Sequence, residues 1–524
     1  MRVEFKNIGA LETGLNSQSN ELFRLGLSVA FLIGVLIYAL FQNYNLPGGF
    51  TLAIAAAVGG YMAMNIGAND VANNVGPAVG SKALTLFGAI LIAAIFEAAG
   101  ALIAGGDVVS TIKKGIIDPS QITEARTFIL LMLAALLAGA LWLNLATFLG
   151  APVSTTHSIV GGVLGAGIAA GGFAVANWSK MGAIAASWII SPLLGGLIAA
   201  SFQYFIKKKI MHTDDMLGSA KRFVPWLLAI MAWAFSTYLA VKGIKKLIKL
   251  DFYQAALIGF AIAVIIFFAV QPLIANAASR LEQTRDGVNS LFTVPLIFAA
   301  ALLSFAHGAN DVANAVGPLA AIADSVHNAG VSTKAAIPLW VMMIGALGIA
   351  LGLFLFGPKL IRTVGTEITE LDKSRAFCVA MAAAITVIVA SQLGLPVSST
   401  HIAVGGIFGV GLLRERMRLS YVTQLHKMAE HHEGEEKQRL ESFLQNFQSA
   451  ELKEMEVLLK EAKLKKTQLG LSKTERKQLK SIYKENLVRR SAMNKIIAAW
   501  IITVPCSAGL AALIYFFISD ISII

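Results

Sequence analysis

Two acidic side chains share one polar setting within otherwise apolar sequence. Asp70 lies in Gly67-Ala-Asn-Asp-Val-Ala-Asn-Asn-Val-Gly-Pro, and Asp311 lies in Gly308-Ala-Asn-Asp-Val-Ala-Asn-Ala-Val-Gly-Pro. A carboxylate inside a membrane costs about 2.5–3.5 kcal/mol, so it marks a candidate site. One carboxylate with neutral oxygen donors suits a hard monovalent cation, and sodium is a candidate at both aspartates. The expected coupling-ion residues are Asn69, Asp70, Asn73, Asn310, Asp311 and Asn314.

The Gly-Pro pair that closes each motif predicts a break in the helix that frees carbonyl oxygens. The alternative for these motifs is polar packing between helices made by asparagine and small residues. Two copies of one extended motif favour the cation site over this alternative.

Hydroxyl groups recur in a second pair of motifs, Pro152-Val-Ser-Thr-Thr-His and Pro396-Val-Ser-Ser-Thr-His. Both motifs predict a helix start with proline in its first turn. Helix N-termini attract anions through unpaired N–H groups and the positive end of the dipole. Two such ends predict a site for a tetrahedral oxyanion, and ordinary N-capping is the alternative. The expected anion-binding residues are Ser154, Thr155, Thr156, Ser398, Ser399 and Thr400.

Three further polar residues are candidates for accessory roles. Glu97 lies within an apolar run and has no counterpart in the second half, and an acid inside the membrane is a functional candidate by default. His157 and His401 recur in register after the hydroxyl groups. All three side chains could equally be packing residues whose polar groups are satisfied.

The two motif pairs are spaced alike. Asp70 and Asp311 are 241 residues apart, and His157 and His401 are 244 residues apart. One unit carrying both motifs has therefore been duplicated. Duplicated halves with polar, Gly/Pro-interrupted segments in matching positions are typical of secondary transporters.

Composition places the chain in a membrane. The sequence is 56% hydrophobic and 14% charged, against about 45–50% apolar and about 25% charged in soluble domains. The net charge of +12 fits loops at an anionic inner leaflet and membrane lipid as a partner, not nucleic-acid binding. Two isolated cysteines make neither a disulfide framework nor a metal site. No zinc, Walker or nucleophile-elbow motif is present, so we expect no enzyme.

Thirteen apolar runs reach spanning length, and the copies of each motif lie seven crossings apart. An odd number gives repeats that face opposite ways. Lys/Arg near the membrane ends predict a cytoplasmic amino terminus and an external carboxyl terminus. The runs are near 25–42, 50–66, 84–104, 127–149, 153–173, 181–206, 223–241, 252–275, 291–307, 336–357, 375–394, 396–413 and 494–519.

These patterns predict an all-α polytopic membrane protein with an inverted-topology repeat, about 12–13 transmembrane or broken helices and a soluble helical insertion. The insertion is predicted to be a cytoplasmic helical hairpin, with a docking site for a regulator as the alternative. The expected divisions are an extra transmembrane helix at 1–49, a first repeat at 50–206, connecting helices at 207–290, a second repeat at 291–413, the insertion at 414–493 and a last helix at 494–524.

Together the two pairs of motifs resemble the inorganic phosphate transporter family. The resemblance covers about 50–413 and the last helix. It implies phosphate symport driven by sodium or protons, an inverted-repeat fold, a homodimer, and the motif residues named above as the substrate and ion sites. It also implies no cofactor beyond the coupling cation Na⁺ or H⁺. The first helix and the position of the insertion depart from the family pattern, which leaves regulation and assembly open.

Three alternatives to phosphate symport stay open. A sulfate permease on the same scaffold would bind another tetrahedral anion with the same hydroxyl groups. An anion channel would need weak, multi-site binding along an open pore. A receptor would signal through the insertion and would have lost transport. The expected location is the plasma membrane, crossed many times, or the inner membrane if the source is bacterial.

Overall fold

The structure is a computed structural model. It describes residues 2–520 apart from 107, 110–114, 123, 244–249, 329, 331–336, 368–370, 430–433, 450–456 and 459–489. In this part of the chain the regular structure is helical, with one isolated bridge between Ile117 and Ala176. The helices are α1 (Arg2–Asn43), α2 (Gly49–Asn69), α3 (Val71–Gly80), α4 (Leu86–Ala104), α5 (Ala125–Leu149), α6 (Thr155–Gly171), α7 (Trp178–Ile206), α8 (Met216–Lys242), α9 (Phe252–Ala278), α10 (Arg285–Leu291), α11 (Thr293–Asn328), α12 (Leu339–Glu367), α13 (Lys373–Gln392), α14 (Ser399–Ala429), α15 (Gly434–Ser449) and α16 (Arg490–Ser519).

The predicted helical membrane architecture is confirmed. Among the described residues, 11 helical segments are long and apolar enough to cross a membrane. The two remaining predicted runs, 153–173 and 396–413, correspond to α6 and the first part of α14, which are the helices that carry the hydroxyl motifs. The segment Phe252–Ala278 has only 17% of its most apolar window buried, so its side chains are available to lipid.

The main packing contacts of several helices are with helices of the other duplicated half. The helices α2 and α4 of the first half pack on α12 and α11 of the second half, in that order. Likewise, α6 packs on α16, and α14 packs on α7. Each contact therefore has a partner in which the halves have changed places, as a duplicated unit predicts, and the inverted orientation of the repeats stays a prediction.

Glycine permits the closest of these contacts. A Cβ at Gly67 would collide with the backbone at Ile349, and a Cβ at Gly308 would collide with the backbone at Glu97. The two glycines open the two copies of the acidic motif. The contacts therefore place Ile349 in the second half where Glu97 stands in the first.

The predicted helix break at the Gly-Pro pairs is wrong. Pro77 lies inside α3, and Pro318 lies inside α11, which runs unbroken through its motif. The first copy has only a slight interruption, at Asp70, whose backbone keeps helical angles (φ −79°, ψ −39°). Proline removes one N–H group without ending these helices, since packing on every side holds them together.

The hydroxyl helices begin later than predicted. Ser154 is the N-cap of α6, so Pro152 lies in the extended segment before the helix and not in its first turn. Gly150 (φ +72°) and Gly394 (φ +67°) occupy matching positions in left-handed conformation. A side chain would be strained there, and the glycines let each chain turn sharply into its motif.

The insertion is described only in part. The helix α14 continues to Ala429, past the predicted boundary at 413. In the described part of the insertion, α15 is helical as predicted and buries Leu440, Phe443, Leu444 and Phe447. Residues 450–456 and 459–489 of the predicted hairpin lie outside the described residues.

Candidate anion and cation site

The acidic and hydroxyl motifs of both halves meet at one buried cluster. Asp70 is 1% exposed. Thr155 Oγ1 donates to Asp70 Oδ2 at 2.6 Å, and Thr400 Oγ1 donates to Asp70 Oδ1 at 3.0 Å. Thr155 belongs to the first half and Thr400 to the second, so one carboxylate joins the start of α6 to the start of α14.

The same pattern is repeated around the second aspartate and the two asparagines. Ser399 Oγ donates to Asp311 Oδ2 at 3.0 Å, which matches the bond from Thr155 to Asp70. Across the halves, Asn73 Nδ2 donates to Thr400 Oγ1 at 2.9 Å. In the matching contact, Asn314 Nδ2 donates to the Oγ1 atoms of Thr155 at 3.0 Å and of Thr156 at 3.2 Å. Each half therefore holds the hydroxyl groups of the other.

The accessory candidate Glu97 lies in a buried chain of polar groups that reaches Asp311. Its Oε2 lies 2.7 Å from His307 Nδ1, and His307 Nε2 lies 2.9 Å from Asp311 Oδ2. Asn74 Nδ2 donates to Glu97 Oε1 at 2.8 Å. Because His307, Glu97 and Asp311 are fully buried, their charges interact strongly and depend on one another.

This cluster offers oxygen atoms to a cation. Ligand atoms of Asp70, His307 and Asp311 lie within 4.8 Å of one another. Asp311 Oδ1, Asn73 Oδ1 and Asn310 Oδ1 are buried without a hydrogen-bond partner. Carboxylate and amide oxygens are the donors that a hard cation prefers. With Glu97, three carboxyl groups are buried beside a single imidazole, so added positive charge would be stabilised.

Two of the predicted ion-site residues hold loops as well. Asn69 Nδ2 donates to Thr147 Oγ1 at 2.9 Å and to the Ala151 carbonyl at 3.2 Å, and its Oδ1 accepts from Val153 N. The whole Asn69 amide is therefore engaged by the segment that leads into α6. Asn310 makes the matching bond from Nδ2 to Ser391 Oγ at 3.0 Å. Its Oδ1 atom stays available.

The six predicted anion residues differ in their bonds, and Thr156 stands apart because its Oγ1 donates to the Val397 carbonyl at 3.0 Å. Ser154 Oγ accepts from His157 N, and Ser398 Oγ accepts from His401 N, so both serines cap their helices as the capping alternative predicts. Their hydroxyl protons are still available to a ligand. Thr155, Ser399 and Thr400 instead donate to the two aspartates.

Sequence reasoning missed His307 and Asn74. A signal for Asn74 was present, since it is the one position at which the two copies of the acidic motif differ, with Ala315 opposite. His307 stands one helical turn before Asp311, on the same face. The first copy has Ile66 there. Comparison of the two copies therefore could not identify His307, which occurs in one copy only.

Comparison with known proteins shows which family has this architecture. The profile of the phosphate transporter family matches residues 66–511. The chain belongs to the phosphate transporter family. A Helicobacter pylori protein (strain 26695), described by inference as a phosphate permease, is 52% identical over 98% of both chains. A Thermococcus kodakarensis protein with the same kind of description is 40% identical over 69% of this chain and 89% of its own. The solved structure of "the sodium-dependent phosphate transporter" is 32% identical, with a TM-score of 0.73, and covers 90% of this chain and 99% of its own.

Membership, together with the 11 segments of spanning length among the described residues, makes this chain a multi-pass membrane protein of a family that transports phosphate. The family profile includes both acidic motifs and both hydroxyl motifs.

The insertion tests which part of this transporter is accessory. Replacing residues 430–489 with a Gly/Ser linker is expected to leave phosphate uptake measurable, because no transport motif lies there and a short flexible linker closes at small entropic cost. Arg414 and Arg416 stay in place as topology anchors. Uptake per molecule of inserted protein is the measurement. Complete loss of uptake in a correctly inserted variant would make the insertion part of the transport cycle.

Proposed function

We propose that the chain imports inorganic phosphate by symport with sodium ions or protons, alternating access around the buried cluster at Asp70 and Asp311. The observation that carries the proposal is that hydroxyl groups from both halves donate to the single carboxylate of Asp70. Supporting it, the solved structure that covers 90% of this chain is described as sodium-dependent.

The hydrogen bonds suggest how cation and anion binding are linked. In this structure Thr155, Thr400 and Ser399 direct their protons to carboxylates. A cation bound to the same carboxylate oxygens competes for these lone pairs and releases the hydroxyl groups. The released groups then donate to a phosphate oxygen at the N-termini of α6 and α14, where the helix dipoles also favour an anion. Cation binding thereby prepares the anion site.

The packing of each half against the other supports alternating access. Every side chain of the cluster is buried, so the site is closed to both faces of the membrane in this conformation. The loop before α6 and the loop before α14 approach the cluster as matching parts of the duplicated halves. Movement of one loop and its half relative to the other would open the site to one face at a time. A homodimer and a regulator bound to the insertion stay predictions.

Uptake by proteoliposomes tests the proposal. Labelled phosphate should accumulate with an inward sodium gradient at fixed pH, or with a proton gradient if protons are the coupling ion, and excess sulfate should not compete. Accumulation of sulfate instead would favour the sulfate permease. Exchange of labelled for unlabelled phosphate without net current identifies a carrier, whereas an anion channel would carry current.

The threonines give a prediction about affinity. Thr155→Val or Thr400→Val should raise the apparent KM for phosphate about tenfold to a hundredfold, because each removes a hydrogen bond to a charged ligand, about 1.5–3 kcal/mol. Thr386→Val is the matched control, since Thr386 Oγ1 is buried but donates to the Ala382 carbonyl of its own helix. A lower maximal rate with unchanged KM would contradict a role in anion binding.

A further inference from the structure

Four aromatic rings form a continuous row of contacts, called the stack below, that includes the histidine of each hydroxyl motif. The ring centroids of Trp188 and His157 are 3.9 Å apart with the planes tilted by 43°, and those of His157 and His401 are 4.3 Å apart in an edge-to-face contact at 86°. His401 then stacks on Trp500 at 3.6 Å with 27° between the ring planes. The stack runs in the order Trp188, His157, His401, Trp500, and each ring comes from a different helix.

The stack is built twice by the duplication and joined at its centre. The segment Trp188-Ile-Ile-Ser recurs as Trp500-Ile-Ile-Thr, 312 residues later. His157 and His401 are the matching members of the two hydroxyl motifs. The contact between these two imidazoles is therefore the point at which the ring layer of one half touches that of the other.

Each histidine of the stack lies in the same capped helix turn as the hydroxyl groups that precede it. His157 N is held by Ser154 Oγ at 3.1 Å, and Thr155 and Thr156 lie between these two residues in the first turn of α6. The same link joins His401 to Ser398 at 3.2 Å. A shift of the backbone at either histidine therefore moves the hydroxyl groups that precede it.

The chemistry of the rings favours packing over ligand binding. The imidazoles are only 5% and 2% exposed, and none of their four nitrogen atoms has a partner with good hydrogen-bond geometry in the described part of the chain. Trp188 makes a further bond across the halves, from Nε1 to the Pro396 carbonyl at 3.3 Å. Trp188 thus touches the first-half histidine and the second-half loop together.

We propose that the stack of Trp188, His157, His401 and Trp500 positions the two hydroxyl motifs, and so sets the size of the tetrahedral anion that the site accepts. The proposal rests on the proposed function, in which these motifs bind phosphate. The rings do not touch the anion and act through the helix starts. Misplacement of binding groups by about 1 Å can reduce a rate by about a hundredfold, so a stiff spacer has measurable consequences.

Truncation of the central rings tests the positioning role. His157→Ala and His401→Ala should each raise the apparent KM for phosphate about tenfold. Each should also raise the uptake of arsenate, a larger tetrahedral anion of equal charge, at least threefold relative to phosphate. His401→Phe should restore both values to within about threefold, because it keeps a ring. Trp188→Ala should act like the histidine variants. Trp178 lies on the same helix as Trp188 but is 53% exposed, so Trp178→Ala is the control and should change neither value.

A distance measurement separates positioning from a loss of transport. Spin labels attached at positions 149 and 393, after Leu149→Cys and Leu393→Cys, would report the separation of the two loops, since both leucines are exposed. The background would carry Cys378→Ala and Cys506→Ala. The native stack should give a narrow distance distribution. His401→Ala should broaden or shift that distribution, and His401→Phe should restore it.

The outcomes separate the two proposals. An unchanged loop distance together with an unchanged arsenate-to-phosphate ratio in His401→Ala would overturn the positioning role, even if the KM rose. Absence of phosphate uptake by the native protein would overturn the proposed function, while the loop distance would still report whether the stack positions the motifs. If an alanine variant does not fold, Trp188→Leu, which removes the ring and the bond to Pro396 but keeps a large apolar side chain, gives the same test.

Discussion

Replacing Asp70 or Asp311 by asparagine is expected to abolish gradient-driven phosphate uptake while the protein stays folded in the membrane. The change keeps the shape of the side chain, so little packing is lost. It removes a negative charge that balances the coupling cation where charges are poorly screened. The measurement is labelled phosphate uptake with and without the gradient, at equal amounts of inserted protein.

A control on the same helix distinguishes the site from a general effect of charge. Asp324 lies on α11 beyond Asp311, and its Oδ1 accepts from Asn328 Nδ2 at 2.7 Å. Asp324→Asn should therefore leave driven uptake within about twofold of the native rate. Near-normal, gradient-dependent uptake by both Asp70→Asn and Asp311→Asn would exclude the cluster as the coupling site.

The pair of Glu97 and His307 gives the second large expected effect. His307→Ile alone should sharply destabilise the protein, because removing one partner of a buried pair typically costs about 3–5 kcal/mol. Replacing a whole buried pair by apolar residues is often neutral. The matching site of the duplication supplies the apolar version, since Ile66, Ile349 and Ala315 stand there in place of His307, Glu97 and Asn74.

The matching triple variant is Asn74→Ala, Glu97→Ile and His307→Ile. We expect it to recover most of the thermal stability that His307→Ile loses, because Glu97 and Asn74 are no longer left as buried polar groups without their partner, and Asp311 keeps its bond from Ser399. Uptake should still fall at least tenfold, because Asp311 loses the imidazole at 2.9 Å. Thermal unfolding and uptake are measured on the same preparations. A stable triple variant with native uptake would show that the polar chain serves packing alone.

Duplication is what made much of this site predictable from sequence. Closely similar motifs at matching intervals identified Asp70, Asp311 and the hydroxyl groups, and the structure brings them into one cluster. Residues present in one copy only, such as His307, gave no repeated signal. Their role depends on a neighbour, Glu97, that is 210 residues away along the chain.

Local rules misjudged two details for physical reasons. Gly-Pro ends an isolated helix, but the surrounding helices hold α11 together through Pro318. The stack of Trp188, His157, His401 and Trp500 could not be expected from spacing, because it depends on how α6 and α14 approach each other. Pair contacts between distant segments are properties of the assembled fold and not of any one motif.

The packing of first-half helices on second-half helices has a consequence for how the protein is made. The helices α2, α4, α6 and α7 each have their main partner in a segment that the ribosome synthesises later. Until α11, α12, α14 and α16 emerge, Asp70 and Glu97 would face lipid or other helices of the unfinished chain. During this interval the first half is in the membrane without its main packing partners. Two separately expressed halves should accordingly be stable only together.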